Sequence, residues 1–271
     1  MTDAAPPDAD ADADVGAGED IDARIRRLDP DRWLASRFIS DPRRRAEVVA
    51  IYALNDELAR VGETVTQPLI GEIRLAWWRD RIEDLFDGRP IPAQPALEIL
   101  AEPIAQGRLP QALFEALVEA RHQDLDPMPF GDDAALARYL DGTAGAVMGL
   151  AACALCPAAP LAAVIQAGRA WGMAGLYRAR AHWAARNRRW TPPSWDAPRD
   201  EAEGEAALAA RVRAEVASAL TAARQDLKAL PVSAFPAVAY TTLSSAYACG
   251  HAPGQLETRL RLLWTTATGR L

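Results

Sequence analysis

Apolar residues in the stretch 43–65 recur at steps of three and four, at Ile51, Leu54, Leu58, Val61 and Val65. That spacing puts them on one face of a helix. Just ahead, Asp41-Pro42 reads as an N-cap followed by proline at the first helical position, where a missing N–H leaves nothing unpaired. A second stripe on the same stretch runs through Tyr52, Asp56, Ala59, Arg60 and Glu63. A helix with two such stripes packs on one side and faces a cavity on the other. Pro68 opens the next helix and Gly88 ends it. Leu75, Trp78, Ile82 and Leu85 line one of its sides, and Ile70, Ile73 and Trp77 another.

The same reading predicts a short helix at 32–39 and further helices at 95–106, 110–125, 133–155, 161–186, 206–229, 235–249 and 254–268. Asp132 or Asp133 caps the 133–155 helix, and 191–205 is a loop. The 161–186 helix contains Gly168, Gly172 and Gly175. Each weakens a helix by about 1 kcal/mol relative to alanine, so three together imply the close approach of another helix or of a ligand. No alternating strand pattern and no fixed-period repeat occurs. The expectation is an all-α, single-domain helical bundle over 23–271.

Charge changes this picture only at the N-terminus. Residues 1–20 hold seven acids and no base, which leaves 30 acids against 30 bases in the rest of the chain. The acidic, Ala- and Gly-rich segment 1–22 is expected to be disordered, and it has neither the basic character of a transit peptide nor the apolar stretch of a signal peptide. A neutral body makes nucleic acid a poor partner. No charge separates Asp141 from Arg169, but Pro157 and Pro160 interrupt that run, so two buried helices fit it better than a membrane span. Cys153 and Cys156 form a C-x-x-C. One reading is redox or metal chemistry; the other is two small core residues, favoured by the apolar surroundings and the missing βαβ context. Three cysteines and no signal peptide point to a reducing, cytoplasmic location. Neither His122-x-Asp124 nor His251 has a convincing ligand set, so no zinc site is expected.

Four segments, in order, resemble the squalene/phytoene synthase family. They are VAIYALNDELARVGE at 49–63, ARHQDL at 120–125, YLDGTAGAVMGL at 139–150 and GRAWGMAGLYRARAHWAARNRRWTP at 168–192. The resemblance spans roughly residues 30–250 and implies the isoprenoid-synthase fold. Active members join two prenyl diphosphates, and acidic motifs on two facing helices hold the magnesium that assists diphosphate departure. Asp124 falls on a usual acid of the family. The first motif falls on Ala59, Arg60, Val61, Gly62 and Glu63, where only Glu63 is acidic. The second falls on Ala179, Arg180, Ala181, His182 and Trp183, and no Asp or Glu occurs anywhere in 164–193.

This loss resembles a divergent branch of the family that includes an assembly factor of NADH dehydrogenase, respiratory complex I. The resemblance implies a catalytically inactive binding or accessory protein with no cofactor and no metal. Its partners would be respiratory-complex subunits or an isoprenoid or anionic lipid, with peripheral contact at the inner membrane face. An active prenyltransferase of squalene, hopanoid or carotenoid synthesis, using magnesium, is the alternative, and a polyprenyl or lipid carrier is a second. The degenerate pocket would comprise Tyr52, Asp56, Glu57, Arg60, Glu63, Asp124, Arg178, Arg180 and His182. Arg60, Arg178 and Arg180 either bind phosphate directly or pair with Asp56, Glu57, Glu63 or Asp124 and close the old cavity. His182 is a general base or a packed or surface histidine. The cluster Arg186, Arg188 and Arg189 beside Trp190 is either a headgroup contact or a solvated helix end.

Overall fold

The computed structural model describes residues 20–65, 67–195 and 201–271. The acidic segment read as disordered therefore lies almost wholly outside the described residues. Helices α1 (Ile21–Leu28), α2 (Pro30–Ser36), α3 (Pro42–Thr64), α4 (Pro68–Phe86), α5 (Pro95–Ala105) and α6 (Gln111–Arg121) come first. α7 (Asp133–Leu140) continues through a π-helical turn at Asp141–Gly145 into α8 (Ala146–Leu155). α9 (Leu161–Arg178), α10 (Arg180–Ala185), α11 (Glu201–Asp226), α12 (Ser244–Ala248) and α13 (Gln255–Thr268) complete the order. No strand occurs among the described residues.

The local signals act as the residue chemistry requires. Asp41 accepts hydrogen bonds from the Arg43 and Arg44 amides with Pro42 at the first helical position, and Asp132 accepts from the Ala135 amide. Helix α3 is the central rod. Every residue from Val48 to Leu54 is buried, and α3 packs against α1, α5 and α8. One core joins residues from Ile25 to Leu262. The uncharged 141–169 run folds back on itself, and its two bounding charges meet, Arg169 Nε donating to Asp141 Oδ1 at 2.8 Å. No helix among the described residues is long and apolar enough to cross a membrane.

Four expectations need correction. The helix expected at 32–39 is preceded by α1, which opens at Ile21, ahead of the boundary at 23. The 161–186 helix breaks at Ala179, where Arg180 turns back to donate to the Tyr177 carbonyl at 3.1 Å. Helix α11 begins at Glu201, inside the segment read as a loop. The 235–249 stretch is mostly 3₁₀ turns, Val232–Ala237 and Ala239–Leu243, before the short α12. Pro236 lies inside the first of these and has no N–H for an i→i−4 ladder, so tighter turns replace it.

The glycines of α9 divide into two roles. A Cβ on Gly168 would lie 2.5 Å from the Gly145 Cα and 2.8 Å from the Ala144 carbonyl oxygen, so two backbones cross in contact there. A Cβ on Gly172 would lie 2.9 Å from side-chain atoms of Ala144 and Leu140. Gly175 faces open space. Gly168→Ala therefore forces rigid backbone apart and is expected to destabilise by about 3 kcal/mol. Gly175→Ala adds helix propensity without a clash and stabilises by about 0.5–1 kcal/mol. Urea unfolding of the two variants checks the opposite signs.

Candidate functional site

A guanidinium occupies the interior between α3 and α9. Arg32, on α2, is buried. Its guanidinium carbon lies 5.6 Å from the Tyr52 ring centroid on α3, 5.9 Å from Trp171 on α9 and 5.4 Å from Tyr240. The rings pack edge to face, Trp171 against Tyr240 at 4.9 Å and Tyr52 against Tyr240 at 6.4 Å. Cation–π attraction and one ion pair, to Asp29 Oδ2 at 3.0 Å, balance the buried charge. Arg32 Nε and Ser244 Oγ are buried with no hydrogen-bond partner among the described residues, and the Tyr52 and Tyr240 hydroxyls are buried with them.

Above this cluster lies an open-sided recess of about 420 Å³, lined by residues including Asp29, Asp31, Trp171, Gly175, Arg178 and Tyr247. Tyr247 donates to Asp31 Oδ2 at 2.6 Å. Arg178 lies over the Tyr247 ring at 3.9 Å and 3.7 Å from Asp31 Oδ2. Burial raises the Asp31 carboxyl above its ordinary value, against the lowering effects of the Tyr247 hydroxyl and of Arg178. The recess thus carries two carboxylates and one rim guanidinium, a poor receptor for a diphosphate. A second recess, about 600 Å³, is lined by Asp226, Lys228 and mainly apolar residues such as Pro160 and Leu161, and has no aromatic ring.

Of the nine expected pocket residues, Arg178 alone lines the 420 Å³ recess. Tyr52 lies beneath it in the Arg32 cluster. Asp56 and Glu57 are both bound by Arg24 of α1, and Arg60 is exposed with its Nε 3.7 Å from Asp56. Glu63 and His182 are exposed. Arg180 pairs with Glu205 at 2.9 Å and stacks on the Tyr177 ring at 4.2 Å. Arg60 pairs with Asp56, one of the acids expected from sequence, whereas Arg178 and Arg180 take Asp31 and Glu205.

Asp124 packs against the first-motif end of α3, at Gly62. It accepts from Arg121 at 3.0 Å and from the Tyr139 hydroxyl at 2.8 Å, while its carbonyl accepts from Arg188 at 2.8 Å. Arg121 also donates to Asn55 of α3 at 2.7 Å. A Cβ on Gly62 would lie 2.7 Å from the Asp124 Cβ, so only glycine lets α3 meet this turn. Arg188 is therefore a staple to the Asp124 and Asp126 carbonyls rather than a headgroup contact or a free helix end, and the neighbouring Trp190 is buried. Cys153 and Cys156 are unbridged. Burial pushes the Cys153 thiol up to about 11, which leaves little thiolate for redox or metal chemistry at neutral pH.

The profile described as Squalene/phytoene synthase matches residues 25–250. The chain belongs to the squalene/phytoene synthase family. Solved structures of the family agree with the fold. A dehydrosqualene synthase superposes with a TM-score of 0.76 at 14% identity, over 91% of this chain and 94% of that one. The squalene synthase HpnC from Alicyclobacillus acidocaldarius gives 0.72 at 17% identity, over 85% and 91%.

Among curated relatives, the chain is 28% identical over 125 residues to the Dictyostelium discoideum homolog of NADH dehydrogenase (ubiquinone) complex I, assembly factor 6. It is 27% identical over 124 residues to the human assembly factor 6. These matches cover 46% of this chain but only 35% and 37% of those proteins, so the chain spans little more than a third of the relatives it matches.

The residues present do not fit the magnesium of the family's active members. Hard divalent cations need several oxygen ligands. The α9–α10 wall offers Ala179, Arg180, His182 and Trp183 at the motif positions, and among the described residues no three His, Cys, Asp or Glu side chains converge on a metal-sized site. Sequence reasoning missed Arg24, Asp29, Asp31, Arg32, Tyr240 and Tyr247. The Asp29-Pro30 cap preceding Arg32 and the tyrosines of the final segments were visible signals, but nothing local pairs them.

Two outcomes follow from these contacts. Asp124→Ala strands the buried Arg121 charge and should destabilise by about 3 kcal/mol, whereas Glu63→Ala, at the retained motif acid, should change stability by less than about 0.5 kcal/mol; thermal or urea unfolding compares them. Asp31 keeps its proton to higher pH when folded than when unfolded. Its contribution to stability therefore falls as pH rises from the ordinary aspartate value through its elevated folded value. Carbon NMR should find the Asp31 midpoint moved further up in Tyr247→Phe and in Arg178→Gln, and Asp31→Asn should remove that fall.

Proposed function

We propose that this protein is a non-catalytic member of the squalene/phytoene synthase family that acts by binding, as an accessory factor in the assembly of respiratory complex I. The observation that carries the reading is the α9–α10 wall. No acid occurs from 164 to 193, and Arg178 and Arg180 stand at or beside the motif positions. Prenyl diphosphate condensation needs the leaving diphosphate neutralised by divalent ions held between two carboxylate walls. One of those walls is basic and aromatic here. The other keeps Glu63 alone at its motif positions, and the neighbouring Asp56 and Glu57 are engaged by Arg24.

The Arg32 cluster supports the same conclusion from packing. A cation and three rings fill the space beneath the recess, leaving little depth for a polyprenyl chain, which also speaks against a carrier. The complex I assignment rests on the likeness to the assembly factors, and a binding role agrees with a scaffold kept while its metal ligands are gone.

Purified full-length protein incubated with magnesium and farnesyl or geranylgeranyl diphosphate should release no diphosphate and form no condensed product. Deletion of the gene in its host should lower NADH:quinone activity and leave hopanoid and carotenoid content unchanged, and an Arg178→Ala copy should restore that activity as well as the wild type does. Turnover that disappears with Arg178→Ala, or a deletion that alters isoprenoid content alone, would contradict the proposal.

A further inference from the structure

Helix α13 is built inside out. Its core-facing side carries Thr258, Leu262, Thr265 and Thr266, all buried. Its solvent side carries Leu256 (71% exposed), Leu260 (56%), Leu263 (51%) and Trp264 (67%). At 100° per residue these four, with the exposed Ala267, form one ridge pointing directly away from the core. Val232 is also exposed at this end of the molecule, where its Cγ2 lies 3.2 Å from the Cβ position of Gly269. Fold stability explains the threonines, whose hydroxyls can bond back to the helix, as Thr266 does to the Leu262 carbonyl at 2.7 Å. It does not explain three leucines and a tryptophan in water. Single exposed apolar residues are ordinary, but a contiguous ridge of this kind marks a contact surface.

Charge and size indicate what covers it. The segment 255–270 holds three arginines and one glutamate. Glu257 is already engaged by Arg261 at 2.7 Å and by His251 at 3.4 Å. Arg259 and Arg270 are exposed beside the ridge, and neither has an ion pair among the described residues. The surface is thus apolar with a cationic margin, on a chain whose charges outside residues 1–20 balance. From Leu256 to Ala267 the ridge is about 16 Å long. A single three-turn ridge covers on the order of a few hundred Å², short of the ~800 Å² per partner of a standard protein interface, so a second copy is a poor fit. Leucines and a tryptophan lying in the plane of a headgroup boundary, with arginines at the margin, suit an anionic bilayer.

The geometry points to the α13 face as the surface by which this protein lies on an anionic lipid bilayer. The ridge supplies the inserted area, and Arg259 and Arg270 supply the preference for negative headgroups. The inference does not depend on whether the Arg178 recess is catalytic.

The test is co-sedimentation of the full-length chain with vesicles of phosphatidylcholine alone or mixed with phosphatidylglycerol. The wild type should bind the mixed vesicles preferentially and be released as salt rises. The triple variant Leu260→Ser, Leu263→Ser, Trp264→Ser should retain the wild-type circular dichroism and lose binding by at least about tenfold. Arg259→Gln with Arg270→Gln should abolish the preference for phosphatidylglycerol. No binding by the wild type, equal binding by the folded triple variant, or a wild-type dimer that the triple variant converts to monomer would each overturn the assignment, the last by giving the face to a second copy.

Discussion

Arg32 enters the bundle one turn after the Asp29-Pro30 cap and ends with its guanidinium among Tyr52, Trp171 and Tyr240. The three rings come from three elements distant in sequence: the central helix α3, the long helix α9 and the 3₁₀ segment that precedes α12. A buried cation is costly unless something answers its charge. Here ring faces and Asp29 do so, and the elements that supply them are held at the spacing the guanidinium requires. Asp29 also caps α2, so the residue that neutralises Arg32 sets the helix from which Arg32 projects. The recess above is shaped by the same arrangement, because Asp29, Asp31 and Trp171 line it.

The consequence is electrostatic. In the family's active members the resemblance implies carboxylates on both walls, gathered around divalent ions. In this chain most acids near those walls have a fixed cationic or hydroxyl partner, and the retained motif acid, Glu63, is exposed. Arg24 takes Asp56 and Glu57, Tyr247 and Arg178 take Asp31, and Arg121 and Tyr139 take Asp124. An arginine is charged at any accessible pH and directional in its bonds, so these pairs can be read as permanent parts of the packing. Fold and activity separate cleanly in such a case: the family likeness in shape says how the helices lie, and the side chains between them say what chemistry is open to them.

Much of the fold was legible because it is local. The periodic stripe of α3, the Asp41 and Asp132 caps and the glycines of α9 each act within a few residues of themselves. Gly168 and Gly172 meet another helix, as close approach required, while Gly175 faces the recess. What the sequence does not display is long-range. Helix α1 does carry a helical stripe, Ile21, Ile25 and Leu28, but it is only eight residues long and adjoins the acidic segment, and what fixes it is Arg24 pairing with Asp56 and Glu57, some thirty residues on. Arg188 looked like part of a basic patch and is instead a staple to carbonyls sixty residues earlier. Of the site, the loss of acids was plain in the sequence, and the filling of the space by Arg32 was not, because a lone arginine carries no signal of the rings it will meet.

The most direct test of this electrostatic account is electron paramagnetic resonance of manganese(II), as a probe for magnesium, titrated with the full-length protein and inorganic pyrophosphate. If the two motif helices cannot seat a divalent cluster, the spectrum stays that of manganese with pyrophosphate in solution at every protein concentration. A protein-bound manganese signal that appears with pyrophosphate and is abolished by substituting Asp56 or Arg178 would contradict it.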